Sequence, residues 1–259
     1  HEAENNLPFG LLTSIEEGNY QEWYLAFHQT ADGMIDGTAT LTPSYNVVMG
    51  YPCSQAAIGA FVDDLQARYP DLHGVNGDKP LAARFAEEWT ARTGKRHRLD
   101  MAMRIYKLEA VQPVVGVSGE MRCVTEKERD LLFDWVLAFQ EEAIHERDEA
   151  RVRRIVNNFF TSPSRFMAVW WDGGKPVSLA GAGGPTPNGI RIGPVYTPPE
   201  YRGHGYASAN TTALSQRMLD EGRTFCFLFT DLLNPTSNHI YQQIGYQPVN
   251  DVDTYVFEG

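Results

Sequence analysis

Arg202-Gly203-His204-Gly205-Tyr206-Ala207 stands between a strand-like run at 189–196 and a segment that reads as a helix to about Asp220, with Gly222 as its stop. A helix N-terminus leaves backbone N–H groups unpaired and carries partial positive charge. Glycines beside it let the backbone approach an anion closely. The turn therefore suits the pyrophosphate of a nucleotide-like cofactor, and Pro198-Pro199 stiffens the approach to it. Taken alone, the same letters also fit a plain strand-to-helix turn.

Downstream, Asn234-Pro235-Thr236-Ser237-Asn238-His239-Ile240-Tyr241-Gln242-Gln243-Ile244-Gly245-Tyr246 forms a second unit of pattern. Asn234 is a good N-cap, Pro235 fits the first helical position, and Gly245 closes the helix. Asn234 and Tyr241 share a helix face two turns apart. By itself, Tyr241 also reads as a packed core tyrosine with a satisfied hydroxyl.

Working outward, 126–149 carries Leu131, Leu132, Trp135, Val136 and Phe139 on one stripe, a helix opened by a Thr125/Glu128 capping box. A second helix covers 149–160, stopped by Pro163. Strands follow at 165–171, 176–181 and 189–196, the first pair turning at Asp172-Gly173-Gly174. After the helix to Asp220 come a strand at 224–230, the Asn234 helix and a strand at 253–257. The N-terminal half repeats the later part of this order: strands at 24–29, 37–41 and 45–49, a helix at 54–69, a strand at 72–75, a helix at 80–93 and a strand at 101–108. The fold class is α+β or α/β, with a mixed, mostly antiparallel sheet flanked by helices in each of two tandem domains, 1–115 and 119–259.

The formal net charge of −11 argues against sequence-independent nucleic-acid binding and suits attraction of a cationic amine. It equally suits plain solubility. Three separated cysteines give no disulfide framework, and the histidines show no metal-ligand spacing. No run is long and apolar enough for a membrane helix, and the first residues lack a signal-peptide pattern, so a cytoplasmic protein is expected. Gly181-Ala182-Gly183-Gly184 looks like a dinucleotide fingerprint, but Pro185 and Pro187 forbid the helix that must follow.

Taken together, R-x-x-G-x-A after a strand, a buried strand, and N-x-x-S-x-x-x-Y-x-x-x-G-Y resemble the GNAT superfamily of N-acetyltransferases. Arg202, Gly205 and Ala207 match its pyrophosphate loop, and Asn234, Ser237, Tyr241, Gly245 and Tyr246 its second signature. The resemblance covers about 119–259. The N-terminal half resembles a degenerate copy: Met49-Gly50-Tyr51-Pro52-Cys53-Ser54 has no Arg-Gly-x-Gly turn, and 80–89 holds no Tyr, so it is not expected to bind cofactor in the same way.

The resemblance implies acetyl-CoA in a split between parallel strands at 190–197 and 224–230. Backbone groups of Val195, Tyr196 and Thr197 would pair with the pantetheine arm. The N–H groups of Arg202, Gly203, His204, Gly205, Tyr206 and Ala207 would hold the pyrophosphate, and Asn234 and Ser237 would help fix the cofactor arm. An N–H near Val195 would stabilise the oxyanion and Tyr241 would protonate the leaving thiolate. The acceptor would be a primary amine on a small molecule, peptide or protein. Asp231, Glu141, Glu142, His145 and Glu146 are candidate bases, each also readable as a solvated surface group. The alternative is a CoA-binding regulatory or scaffolding protein without chemistry. Small residues Ala180, Ala182 and Gly193 leave room for a longer acyl group as a third reading.

Overall fold

The computed structural model describes residues 1–43, 45–143 and 147–259. In chain order the first elements are α1 (Asn6–Glu16), β1 (Tyr24–Gln29), β2 (Ile35–Leu41), β3 (Val47–Met49), α2 (Gln55–Arg68), β4 (Gly74–Asp78), α3 (Lys79–Thr93) and β5 (Arg96–Leu108). There follow β6 (Glu120–Cys123), α4 (Arg129–Ala143), α5 (Glu149–Thr161), β7 (Phe166–Asp172), β8 (Lys175–Gly183) and β9 (Gly189–Tyr196). The last are α6 (Tyr206–Asp220), β10 (Phe225–Asp231), α7 (Pro235–Gln243) and β11 (Gln247–Glu258). Helix α1 and strand β6 had no counterpart in the sequence reading. Strand β6 has only four residues, and the eleven of α1 include Pro8 and Gly10, both poor helix formers.

The chain forms two compact units. The first is His1–Tyr106 with Phe229–Asn238 and Pro248–Gly259; the second is Lys107–Leu228 with His239–Gln247.

In the first unit the sheet order is β1-β2-β3-β4-β11-β5. Helix α2 starts where Ser54 Oγ accepts the Ala57 N–H at 3.0 Å. It buries Ala57, Ile58, Phe61, Val62 and Leu65. Helix α3 ends at Gly94, whose φ of 74° supplies the left-handed stop. Its face adds Leu81, Phe85, Ala86 and a fully buried Trp89 to the same core. Strand β11 lies antiparallel to β4, with Val252 opposite Asp78 and Val256 opposite Gly74. Asn76 Nδ2 donates to Thr254 Oγ1 across that pair at 2.7 Å. The final strand of the sequence is thus completed by a strand of the N-terminal half, against which Tyr255 and Phe257 pack. The turn between β3 and α2 is filled by the chain itself: Asn5 Oδ1 accepts the Tyr51 N–H at 2.8 Å and Asn5 Nδ2 donates to the Tyr51 carbonyl at 2.6 Å.

In the second unit the order is β10-β9-β8-β7-β6. The Thr125/Glu128 capping box forms, with the Thr125 N–H donating to Glu128 Oε2 at 2.7 Å. Helix α4 lays Leu132, Val136 and Leu137 with Val152 and Val156 of α5 onto Met167, Val169 and Leu179 of the sheet. Each side chain of this size contributes roughly 1.5–3 kcal/mol on burial. Among the described residues no helix is long and apolar enough to cross a membrane.

Candidate active site

Strands β9 and β10 run parallel, pairing Gly189 with Phe225, Ile190 with Cys226 and Arg191 with Phe227. The register ends there among the described residues, while β9 continues to Tyr196. On its other side β9 stays paired: Val195 lies opposite Ala180 and Tyr196 opposite Leu179, after an irregularity between Ala180 and Ala182. One edge of the C-terminal end of β9 therefore turns away from its parallel neighbour, next to a local break in the ladder. Ser178 Oγ donates to the Tyr196 carbonyl at 3.3 Å and accepts from Thr197 Oγ1 at 2.9 Å, fixing the strand's last residues. Sequence reasoning missed Ser178. Its signal was a lone hydroxyl in the apolar run Val177-Ser178-Leu179-Ala180.

Beyond β9 a short 3₁₀ turn over Pro199–Tyr201 leads to Arg202 in extended conformation. Gly203 and Gly205 then take φ of 79° and 81°, and Gly205 is the N-cap of α6 without a side-chain cap. The first turn of α6 is capped by no side chain, so its N–H groups face outward as a helix start leaves them. Arg202 does not stand free. Its Nε donates to the Thr197 carbonyl at 2.8 Å, its guanidinium reaches Glu142 Oε2 at 2.6 Å, and it lies over the Tyr196 ring at 5.9 Å. Glu142 holds the Arg202 guanidinium even further toward its charged form. His204 stacks on Tyr206 with centroids 5.5 Å apart, and the Tyr206 hydroxyl donates to Asp172 Oδ2 at 2.6 Å. That bond pulls the Asp172 carboxyl below its ordinary value and pushes the Tyr206 phenol up. Ala207 follows within the first turn of α6.

At α7, Asn234 Oδ1 accepts the Ser237 N–H at 3.0 Å, the expected cap. Asn234 and Ser237 fall in the first unit and Tyr241 in the second. The Tyr241 ring meets Tyr246 edge-on at 5.9 Å, and burial pushes its phenol up to about 12. Tyr246 is fully buried, its hydroxyl 2.8 Å from Ser215 Oγ on α6. The Gln112 N–H donates to the Ile244 carbonyl at 3.0 Å. Tyr241 is thus held in the second unit by Tyr246, whose N–H also donates to the Tyr241 carbonyl at 3.0 Å.

Of the candidate bases, Glu142 is paired with Arg202 and Glu141 with Arg147. Asp231 is exposed, and its Oδ1 accepts the Leu233 N–H at 2.8 Å. His145 and Glu146 lie outside the described residues. Among the tryptophans, Trp89 and Trp170 are buried, whereas Trp23 is about half exposed. Trp135 tilts against Tyr196 at 6.4 Å.

The acetyltransferase (GNAT) family model matches residues 129–246. Over that span the chain matches a GNAT acetyltransferase domain. It runs from the first residue of α4 to Tyr246, taking in the 202–207 loop and Tyr241. Among solved structures, a GCN5-related N-acetyltransferase from Kribbella flavida has a TM-score of 0.68 at 15% identity, covering 97% of this chain and 95% of its own. An acetyltransferase of the GNAT family from Colwellia psychrerythraea has 0.59 at 11%, covering 88% and 84%. A tandem GNAT protein from the clavulanic acid biosynthesis pathway has 0.57 at 14%, covering 96% and 86%. At such identities the likeness is one of fold, and the mixed sheet flanked by helices matches the expected class. No curated protein matches the sequence.

Proposed function

We propose that the GNAT domain transfers an acetyl group from acetyl-CoA to a primary amine by direct attack in a ternary complex. One observation carries the reading: the parallel register of β9 and β10 ends at Arg191 and Phe227, β9 continues to Tyr196, and a short turn then leads to a glycine-capped helix start. A cofactor with an extended amide arm and a pyrophosphate asks for a strand edge followed by an anion cradle. The residues fit that demand. A Cβ added at Gly203 would meet nothing within 4 Å, so the turn is open beside the N-terminus of α6. When bound, acetyl-CoA supplies the activated acetyl thioester.

The backbone N–H groups of residues 203–207 bind the pyrophosphate, with the α6 dipole in support; that of Arg202, expected to join them, donates instead to the Pro199 carbonyl at 3.3 Å. Val195, Tyr196 and Thr197 offer backbone groups to the arm. Asn234 and Ser237 keep the part in fixing it that the family resemblance gives them. An N–H near Val195 polarises the reacting carbonyl. Tyr241 keeps its proton throughout the neutral range, as a general acid for a departing thiolate must. The acceptor, with an ordinary amine pKa of about 10.4, gives up a proton before attack.

Calorimetric titration with acetyl-CoA of the wild type and of an Arg202→Glu, Gly205→Glu double variant tests the assignment. Binding that the double variant loses supports it, and a panel of primary amines then seeks the acceptor. No binding by the folded wild type sinks it. Binding without transfer to any amine favours a CoA-responsive scaffold.

A further inference from the structure

Gly183 ends strand β8, and after Gly184 the chain turns into β9 with no helix between. The two glycines make room for arginine side chains. A Cβ on Gly183 would lie 3.3 Å from Arg165 Cγ and 3.6 Å from its Nη1, and a Cβ on Gly184 would lie 3.3 Å from Arg191 Nη2. Gly184 also takes a φ of 57°, which side chains of L residues rarely adopt. The register explains why the arginines meet here. Gly183 pairs with Arg191 on β9, and Ala182 pairs with Phe166, the neighbour of Arg165 at the start of β7. Arg165 and Arg191 thus flank the end of β8 from the strands on either side.

A third cation reaches the same turn from the start of β10. Arg223 Nη1 donates to the Thr186 carbonyl at 3.4 Å. The turn itself is fixed. The Thr186 N–H donates to the Gly189 carbonyl and the Gly189 N–H to Thr186 Oγ1, each at 3.0 Å, and the Thr224 N–H donates to the Asn188 carbonyl at 2.9 Å. All three arginines are half-buried. The chain has 33 acidic residues, yet none lies between Glu149 and Asp172, between Asp172 and Glu200, or between Glu221 and Asp231. Among the described residues Arg165 makes no ion pair. Gathering like charges on half-buried side chains costs free energy that a bound anion would offset.

We propose that the β8–β9 turn binds a phosphate group, held by Arg165 and Arg191 with Arg223 beside them. A guanidinium offers a planar pair of donors that matches phosphate oxygens. A phosphate ester carries nearly two negative charges at neutral pH, and its oxygens face several ways, so two arginines can hold it from opposite sides. A carboxylate offers two oxygens in one plane and a single charge. The site is separate from the glycine turn at 203–205. Strand β9 carries the chain from Arg191 to Tyr196, about 17 Å, before that turn begins.

Calorimetric titration with inorganic phosphate and with glycerol phosphate, at an ionic strength held constant with chloride, tests the site. The Arg202→Glu, Gly205→Glu protein is used, so that the start of α6 contributes no anion binding. The expected dissociation constant is about 1 mM or lower. Adding Arg165→Gln and Arg191→Gln should weaken binding by about tenfold or more. Adding Arg153→Gln, at an exposed arginine of α5, should not. Tighter binding of the ester identifies a phosphorylated small molecule as the ligand, and equal binding identifies the free ion. Absence of binding, or a folded Arg165→Gln, Arg191→Gln protein that binds as well, overturns the proposal. Should that variant fail to fold, arginine labelling of the wild type by phenylglyoxal still decides. Phosphate must slow labelling of Arg165 and Arg191 and leave Arg153 unaffected, and equal rates with and without phosphate refute the site.

Discussion

The guanidinium of Arg202 joins Glu142, at 2.6 Å, to the carbonyl of Thr197, at 2.8 Å. It thereby ties the last turn of α4 to the end of β9, immediately before the glycine turn. Both members of the ion pair are about half exposed, so the pair contributes under about 1 kcal/mol to folding. Arg202→Ala should leave the urea midpoint nearly unchanged while weakening acetyl-CoA binding on the order of tenfold, about 1.4 kcal/mol. Glu142→Gln, which keeps the Thr197 bond, should weaken it less. Denaturation and titration of both variants separate the two effects. A large loss of stability with intact binding would contradict this division.

Tyr241→Phe removes a phenol that burial holds protonated up to about pH 12. The expected result is cofactor affinity within about twofold and a transfer rate lower by about 10²–10⁴. Because the phenol pKa is raised, loss of the acid cannot cause any decline in rate below about pH 10. A rate unchanged in Tyr241→Phe removes the residue from the chemistry.

Gly205 has a φ of 81°, and a Cβ there would lie 2.8 Å from Val117 Cγ2. Gly203 has nearly the same φ but open space around it. Both alanine variants pay the left-handed penalty of about 1–2 kcal/mol, and Gly205→Ala adds a clash. Thermal unfolding should therefore rank wild type above Gly203→Ala above Gly205→Ala. Equal melting temperatures for the two variants would show that Val117 yields freely.

Burial raises the thiols of Cys53 to about 11 and Cys226 to about 12, and the phenol of Tyr241 to about 12. Each folded-state value lies above the unfolded one, so each contributes stability that is complete below the unfolded pKa. That stability is lost as pH rises toward the folded value. Urea midpoints should be flat near pH 8 and fall steadily above about pH 9. In the native protein at pH 8, a thiol reagent should modify exposed Cys123 quickly and Cys53 and Cys226 only on unfolding. Fast labelling of all three would show that the two interior thiols are not sealed.

Much of this molecule was legible locally. The Thr125 and Asn234 caps, the stripe of α4 and the glycine turn at 203–205 all depend on residues within a turn or two of one another. Short-range hydrogen bonding and periodic burial decide such features, and the amino-acid order states them outright. Tyr241 and the 202–207 loop could be singled out for the same reason. The partners of those residues could not. Arg202 meets Glu142 across 60 residues, Tyr206 meets Asp172 across 34, and Asn76 meets Thr254 across 178. Nor does the order of elements reveal that β11 closes the sheet beside β4, or that Arg165 and Arg191 flank the end of β8. Those choices depend on which strand edges and apolar faces remain unfilled once every other element has packed, a property of the assembled chain that no local stretch encodes.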